Sequence, residues 1–200
     1  MTPPRLVLAS KSASRRMLLA QAGVSHDAEG SGVDERAVEA PLLAEGADPG
    51  TIAMHLAEAK ALAVSVRRPG ALVLGADQTL GLGNERFVKP NNVLEAHAQL
   101  MRLAGRTHAL HSALAVAEGG KLIWRHISVA RLTMRPLSPA FIERYLAAGG
   151  GDVMASVGCY QLEGMGIQLF ENIDGDYFTI LGLPMLPLLT FLRDRAVIDP

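Results

Sequence analysis

Between Leu6 and Leu19 the chain reads Leu-Val-Leu-Ala-Ser-Lys-Ser-Ala-Ser-Arg-Arg-Met-Leu-Leu. An apolar strand runs into Ser10, Ser12 and Ser14 and the adjacent Arg15 and Arg16, and a helix starts at once. Hydroxyls, free backbone N–H groups and the positive end of a helix then face one spot. Two guanidiniums add forked donors that match phosphate oxygens. A substrate of such a site is phosphorylated.

Other residues could act on that substrate. Asp77 follows the apolar run 71–76 and precedes Gln78. At the carboxyl end of a buried strand a carboxylate can hold a metal or take a proton from water, or it can serve a turn. Lys60 lies on one helical line with Ile52, Leu56 and Val64 and interrupts an apolar stripe. It either snorkels to water or points into a cleft. Lys89 precedes Pro90, which biases its backbone toward an extended form. Alone it reads as a loop lysine. Glu35, in Asp34-Glu35-Arg36, reads alone as a surface charge, and Glu163 sits in a glycine-flanked loop, Leu162-Glu163-Gly164. Asp174-Gly175-Asp176 most simply makes a turn.

Several chemistries find no template. There is no Walker A run, and the six histidines are scattered without zinc-protease spacing. The single cysteine, Cys159, cannot form an internal disulfide and has no local activating group. That usage predicts a cytoplasmic setting. The first residues carry no cationic segment followed by a long apolar run, so no signal peptide is expected. No stretch reaches the roughly 18 apolar residues of a membrane span. A net charge of −1 argues against a broad nucleic-acid surface. With 49% hydrophobic and 20% charged residues, a sizeable core is expected.

The elements that must position these groups follow from punctuation and period. A strand is predicted over 5–9, a helix over 13–22 and an irregular stretch over 26–36. Asp48-Pro49 opens a helix to about Arg68. The strand 71–76 ends at Asp77, with a turn at 81–84. Asn92 and Glu95 have capping-box spacing for a helix to Leu103. Runs 107–117 and 121–134 form a long hairpin, and Ser138-Pro139 opens a helix ending at the glycines 149–151. Residues 156–181 read as loop and strand, and a last helix starts near Pro184. Strands alternating with helices, plus a hairpin, predict α/β with a mixed sheet.

Taken together, the chain resembles the Maf family of nucleoside triphosphate pyrophosphatases. The resemblance rests on Leu8-Ala-Ser-Lys-Ser-Ala-Ser-Arg-Arg, Val33-Asp-Glu, Ala59-Lys-Ala, Gly75-Ala-Asp-Gln and Lys89-Pro90. It continues through Gly105-Arg-Thr-His, Gly158-Cys-Tyr-Gln-Leu-Glu-Gly and Ile173-Asp-Gly-Asp-Tyr-Phe-Thr-Ile-Leu-Gly-Leu-Pro. The order and spacing hold along nearly the whole chain. The resemblance implies a single domain over residues 1–200: an elongated mixed α/β sheet with flanking helices, in two lobes around a central cleft, commonly paired as a homodimer. It implies Asp77 as proton acceptor, an active site lined by Arg16, Glu35, Lys60 and Lys89, and a divalent cation, Mg2+ or Mn2+, for which Asp77 and Glu35 are the candidate carboxylates.

Three positions resemble different branches of the family. Gln78 and Glu163 look like the branch acting on 7-methyl-GTP. Arg15 looks like the branch acting on dTTP and UTP. The family's Ser-Pro-Arg-Arg is one residue longer here, so Ser12 and Ser14 compete for the serine role, with Ser10 beside them. The implied reaction is hydrolysis of a nucleoside triphosphate to monophosphate and pyrophosphate, as nucleotide-pool house-cleaning, without nucleic acid or membrane. The rival readings are a nucleotide-binding regulator of cell division with little catalysis, and a phosphatase removing only the terminal phosphate.

Overall fold

Parallel pairing of apolar segments builds one end of the sheet. In the computed structural model, which describes residues 4–199, β1 (Arg5–Leu8) lies beside β3 (Ala71–Leu82), in register from Arg5↔Ala71 to Leu8↔Leu74. On its other side β1 pairs in parallel with β2 (Asp27–Ala28). Residues 1–3, within the stretch where no signal peptide is expected, lie outside the described residues. Beyond these come β4 (Glu85–Phe87), β5 (Thr107–Glu118), β6 (Lys121–Met134) and β7 (Phe170–Asp174). The seven-stranded sheet runs β2-β1-β3-β5-β6-β7, with β4 antiparallel to β3. The fold is mixed α/β, and no helix among the described residues is long and apolar enough to cross a membrane.

The chain divides into two compact units. The first contains Met1–Gln78, Ser112–Ser128 and Asp176–Pro200; the second contains Thr79–His111 and Val129–Gly175. In the first unit, strand alternation sorts the core. On one face, Val7, Ala71 and Val73 pack with Val64 of α3 (Pro49–Ser65). Ala53, Ala57 and Ala61 of α3 meet Ala113, Ala115 and Ala117 of β5 there. On the other face, Leu6, Leu8, Leu72, Leu74 and Ala76 pack with Leu18 and Leu19 of α1 (Ala13–Gln21) and Leu188 and Leu192 of α7 (Met185–Asp194). Between Leu181 and α7 the chain turns at Gly182, after the single-turn helix α6 (Tyr177–Ile180).

In the second unit, α4 (Val93–Leu103) packs on α5 (Pro139–Gly149). Both helices start where their caps place them. Asn92 accepts the Glu95 N–H at 2.9 Å, and Ser138 accepts that of Phe141 at 3.2 Å. His108, Tyr160 and Phe170 form an aromatic cluster with centroids 4.8 to 5.9 Å apart.

Four expectations are corrected. Glu35 is not in an irregular stretch but opens α2 (Glu35–Ala44), capped by Asp34, whose carboxylate accepts the Ala37 N–H at 3.2 Å. No residue of α2 is buried, and its half-buried line of Val38 and Leu42 is interrupted by Pro41, a residue that ordinarily ends a helix. Helix α3 stops at Ser65, short of Arg68. Strand β3 does not end at Asp77, because the chain beyond it stays extended and pairs with β4, Leu80↔Phe87 to Leu82↔Glu85, around a turn in which Gly83 has φ +62°. Within 156–181 there are also a 3-10 helix over 165–169 and α6, which Asp176 caps rather than merely turning the chain.

Candidate active site

Asp77 and Lys60 meet because α3 lies unusually close to β3. A Cβ at Gly75 would stand 2.1 Å from the Ala57 carbonyl oxygen and 2.6 Å from the Ala61 nitrogen. Only a glycine permits that approach. Lys60, between those two contacts in sequence, reaches the strand two residues further on. Its Nζ donates to Asp77 Oδ1 at 2.5 Å and stands 2.7 Å from Glu35 Oε1. Lys60 is therefore no snorkelling lysine: its side chain is 9% exposed. Glu35, at the first position of α2, is half exposed.

Burial raises the Asp77 carboxyl above the usual aspartate range, while Lys60 and Arg15 pull the other way. A buried charge persists only when paired. Here two carboxylates face two cations, Lys60 and Arg15. Arg15 is held by the fold: its Nε donates to the Gly182 carbonyl at 2.9 Å, and its Nη1 to the Ala76 carbonyl at 2.8 Å and to Ser10 Oγ at 3.4 Å. Burial lowers its pKa, and the fields of Asp77 and Glu35 oppose the shift; a guanidinium stays charged throughout.

The serine turn is closed by its own side chains. Ser12 caps α1, accepting the Arg15 N–H at 3.4 Å, and Ser10 Oγ accepts the Ser12 N–H at 3.2 Å. Ser14 lies in the first turn of α1, half-buried. Arg16 is exposed, and its side chain has no hydrogen bond or ion pair among the described residues. Parallel pairing of β1 with β3 brings this turn to Asp77: the Ala9 N–H bonds the Leu74 carbonyl at 2.8 Å, and Ala76 meets Arg15.

Gln78 faces the opposite side of β3 from Asp77. Its Nε2 donates to Ser112 Oγ at 2.8 Å and to the Thr179 and Ile180 carbonyls at 3.0 Å each. Asp176 anchors that segment by accepting the Thr179 N–H at 3.0 Å and its hydroxyl. Gly182, at φ +84°, would place a Cβ 3.4 Å from Arg15 Nη2 and 3.6 Å from Gln78 Cδ. Ser112 carries no signal in the sequence, whereas Thr179 and Gly182 lie in the family-like run 173–184 without a role assigned to them.

Lys89 and Glu163 belong to the second unit. Lys89 is exposed between buried Pro90 and exposed Val88, whose carbonyl accepts Gln99 Nε2 at 2.8 Å. Glu163 is exposed in a turn closed by the Gly164 N–H on the Gln161 carbonyl at 3.2 Å.

The carboxylates suit a hard divalent cation in a limited sense. Lys60 engages Oδ1 of Asp77 and Oε1 of Glu35, and no group of three His, Cys, Asp or Glu residues suited to a metal occurs among the described residues. Magnesium sites of one or two carboxylates completed by substrate phosphates and water are common, and this pair fits that type.

Comparison with known proteins agrees with the motifs. The family description "Maf-like protein" matches residues 5–195. The chain is 54% identical over 195 residues to the 7-methyl-GTP pyrophosphatase of Brucella abortus biovar 1 (strain 9-941), covering 98% of each chain. It is 55% identical over 195 residues to the 7-methyl-GTP pyrophosphatase of Mesorhizobium japonicum (strain LMG 29417 / CECT 9101 / MAFF 303099), again over 98% of each. Against the nucleoside triphosphate pyrophosphatase of Bradyrhizobium diazoefficiens (strain JCM 10833 / BCRC 13528 / IAM 13628 / NBRC 14792 / USDA 110) it is 52% identical over 193 residues, 96% of this chain and 95% of that one. Motif order, family match and full-length identity coincide, and this chain belongs to the Maf family.

Proposed function

We propose that this protein is a hydrolase that converts a nucleoside triphosphate to the monophosphate and pyrophosphate. The observation that carries this reading is the Lys60 ammonium bridging Asp77 and Glu35. Asp77 lies on β3, the strand next to the serine–arginine turn, and Glu35 comes to it from the first position of α2.

Water attacks the α-phosphorus and pyrophosphate leaves. Asp77 orients that water and takes its proton. Its raised pKa makes it a stronger base than a solvated aspartate, and Lys60 fixes the carboxylate's position. The substrate carries roughly four negative charges. Arg16 and Arg15 offset part of them, and Lys89 is assigned the same task by the family resemblance. Charge grows on the leaving pyrophosphate, so pre-placed cations stabilise the transition state beyond the ground state. Asp77 and Glu35 would hold a Mg2+ or Mn2+ ion, which neutralises phosphate charge when bound.

The substrate is a guanine-type nucleotide such as 7-methyl-GTP. Gln78, Glu163 and the names of the relatives above support this over dTTP or UTP, the alternative that Arg15 suggests. A carboxylate at Glu163 can accept two donors from a guanine edge, whereas uracil and thymine offer one. We place the enzyme in the cytoplasm, in keeping with its single buried cysteine, and as a homodimer by its family.

Product analysis over a panel of canonical and modified nucleoside triphosphates, with Mg2+ and with Mn2+, tests the reading. Monophosphate plus pyrophosphate, lost in Asp77→Asn, is expected. Diphosphate plus orthophosphate, or no turnover by the native protein, overturns it.

A further inference from the structure

We propose that Ser112 is a positioning residue for substrate choice: together with the Thr179 and Ile180 carbonyls it holds the Gln78 side chain so that Gln78 meets the nucleotide with its oxygen, as a hydrogen-bond acceptor. This deepens the nucleotide specificity proposed above and rests on that reading.

The orientation follows from the partners. The Thr179 and Ile180 carbonyls, each 3.0 Å from the Gln78 amide, can only accept. The atom facing them is therefore nitrogen. Ser112 Oγ donates its single proton to the Thr179 carbonyl at 2.7 Å. Toward Gln78, at 2.8 Å, it is left to accept. Two amide hydrogens thus serve three oxygens, and the nitrogen has nothing more to give. The polar atom that Gln78 can offer a ligand is Oε1, and its complement is an N–H donor on the base.

The network is costly for a merely structural device. Ser112 and Thr179 are both 0% exposed, on the face of the sheet that otherwise packs Ala76, Leu114, Val116 and Leu183. Apolar side chains could fill that space without burying polar groups. A fully satisfied network instead fixes one orientation of one amide. Gly182 keeps the segment close enough to touch both Gln78 and Arg15.

The test compares kcat/KM for 7-methyl-GTP and for UTP in the native protein, Ser112→Ala, Gln78→Ala and the double variant. Ser112→Ala should lower the 7-methyl-GTP preference about tenfold, mainly through KM, the scale of one lost hydrogen bond. The shift in preference should vanish when Gln78 is already alanine, because Ser112 reaches the base only through that amide, while its bond to the Thr179 carbonyl bears on stability. Ser112→Thr, which keeps the hydroxyl, should restore the preference. If Ser112→Ala does not fold, Ser112→Cys takes its place with the same readout. An unchanged preference in the Ser112 variant, or a shift that persists without Gln78, overturns the proposal. An unchanged preference in Gln78→Ala overturns it as well, while pyrophosphate release judges the hydrolase reading separately.

Discussion

Each unit buries a polar cluster, and the two clusters behave oppositely. In the first, Asp77 meets Lys60, with Arg15 close enough to act on its charge. In the second, His108 Nε2 lies 2.8 Å from the Tyr160 hydroxyl, and Tyr145 donates to the Cys159 carbonyl at 3.1 Å. There burial drives every group toward its neutral form. His108 falls to about 4, Tyr145 and Cys159 rise to about 12, and Tyr160 rises further. Perturbed pKa values mark both places, yet only the first sets opposite charges against each other. A shifted group signals chemistry when a charge partner accompanies its desolvation. Desolvation alone signals packing.

Substitutions can break that contrast. Asp77→Asn should lower kcat by about 10²–10⁴-fold, the usual contribution of a general base, whereas His108→Phe should leave turnover within about threefold. Steady-state pyrophosphate release decides both, and equal losses would dissolve the distinction. Arg16→Ala should cost about 10²–10³-fold in turnover with little change in stability, because its side chain is exposed and unpaired. A loss under about threefold would remove it from the site.

The second cluster should show itself in stability instead. His108 has a folded pKa near 4 against 6.5 in its unfolded reference. Below pH 6.5 the unfolded chain therefore binds more protons. The stabilisation is complete above that pH and is lost as pH falls toward 4. Between pH 7 and pH 5 urea melts should register a loss of roughly 2 kcal/mol that His108→Phe abolishes. Asp77, with a raised folded pKa, acts in the opposite sense: its contribution is present at low pH and fades as pH rises. Because Asp77 is common to both proteins, their difference isolates His108. No pH-dependent difference would show that the histidine is not held neutral. The smallest effect is expected from the second unit's surface. Glu163→Gln should shift the preference between 7-methyl-GTP and UTP by about tenfold at most, and unchanged ratios would take Glu163 out of substrate choice.

Much of this arrangement was legible in the chain. Caps at Ser12, Asp48, Asn92 and Ser138 speak through local hydrogen bonds, so the helices they open start where the sequence places them. The interruption of the α3 stripe at Lys60 was visible too, but its meaning was not: snorkelling and burial share one helical pattern. Helix α2 is hidden in the sequence by Pro41, a residue that ordinarily ends a helix, and by the lack of any fully buried position on it. The end of β3 was misplaced because Asp77 resembles a turn residue, whereas pairing with β4 keeps the chain extended beyond it.

The sequence by itself determined the local pieces: the serine–arginine turn, the capped helices, the apolar strands and the ordered motifs of the family. These depend on neighbours a few residues apart, and short-range sterics and hydrogen bonds suffice. Tertiary structure decided which charges share a site. Parallel pairing of β1 with β3, the close approach at Gly75 and the packing of α2 on α3 bring positions 15, 35, 60 and 77 together, and strand alternation sends Gln78 to the other face. Such meetings depend on distances across the chain, which no local pattern encodes.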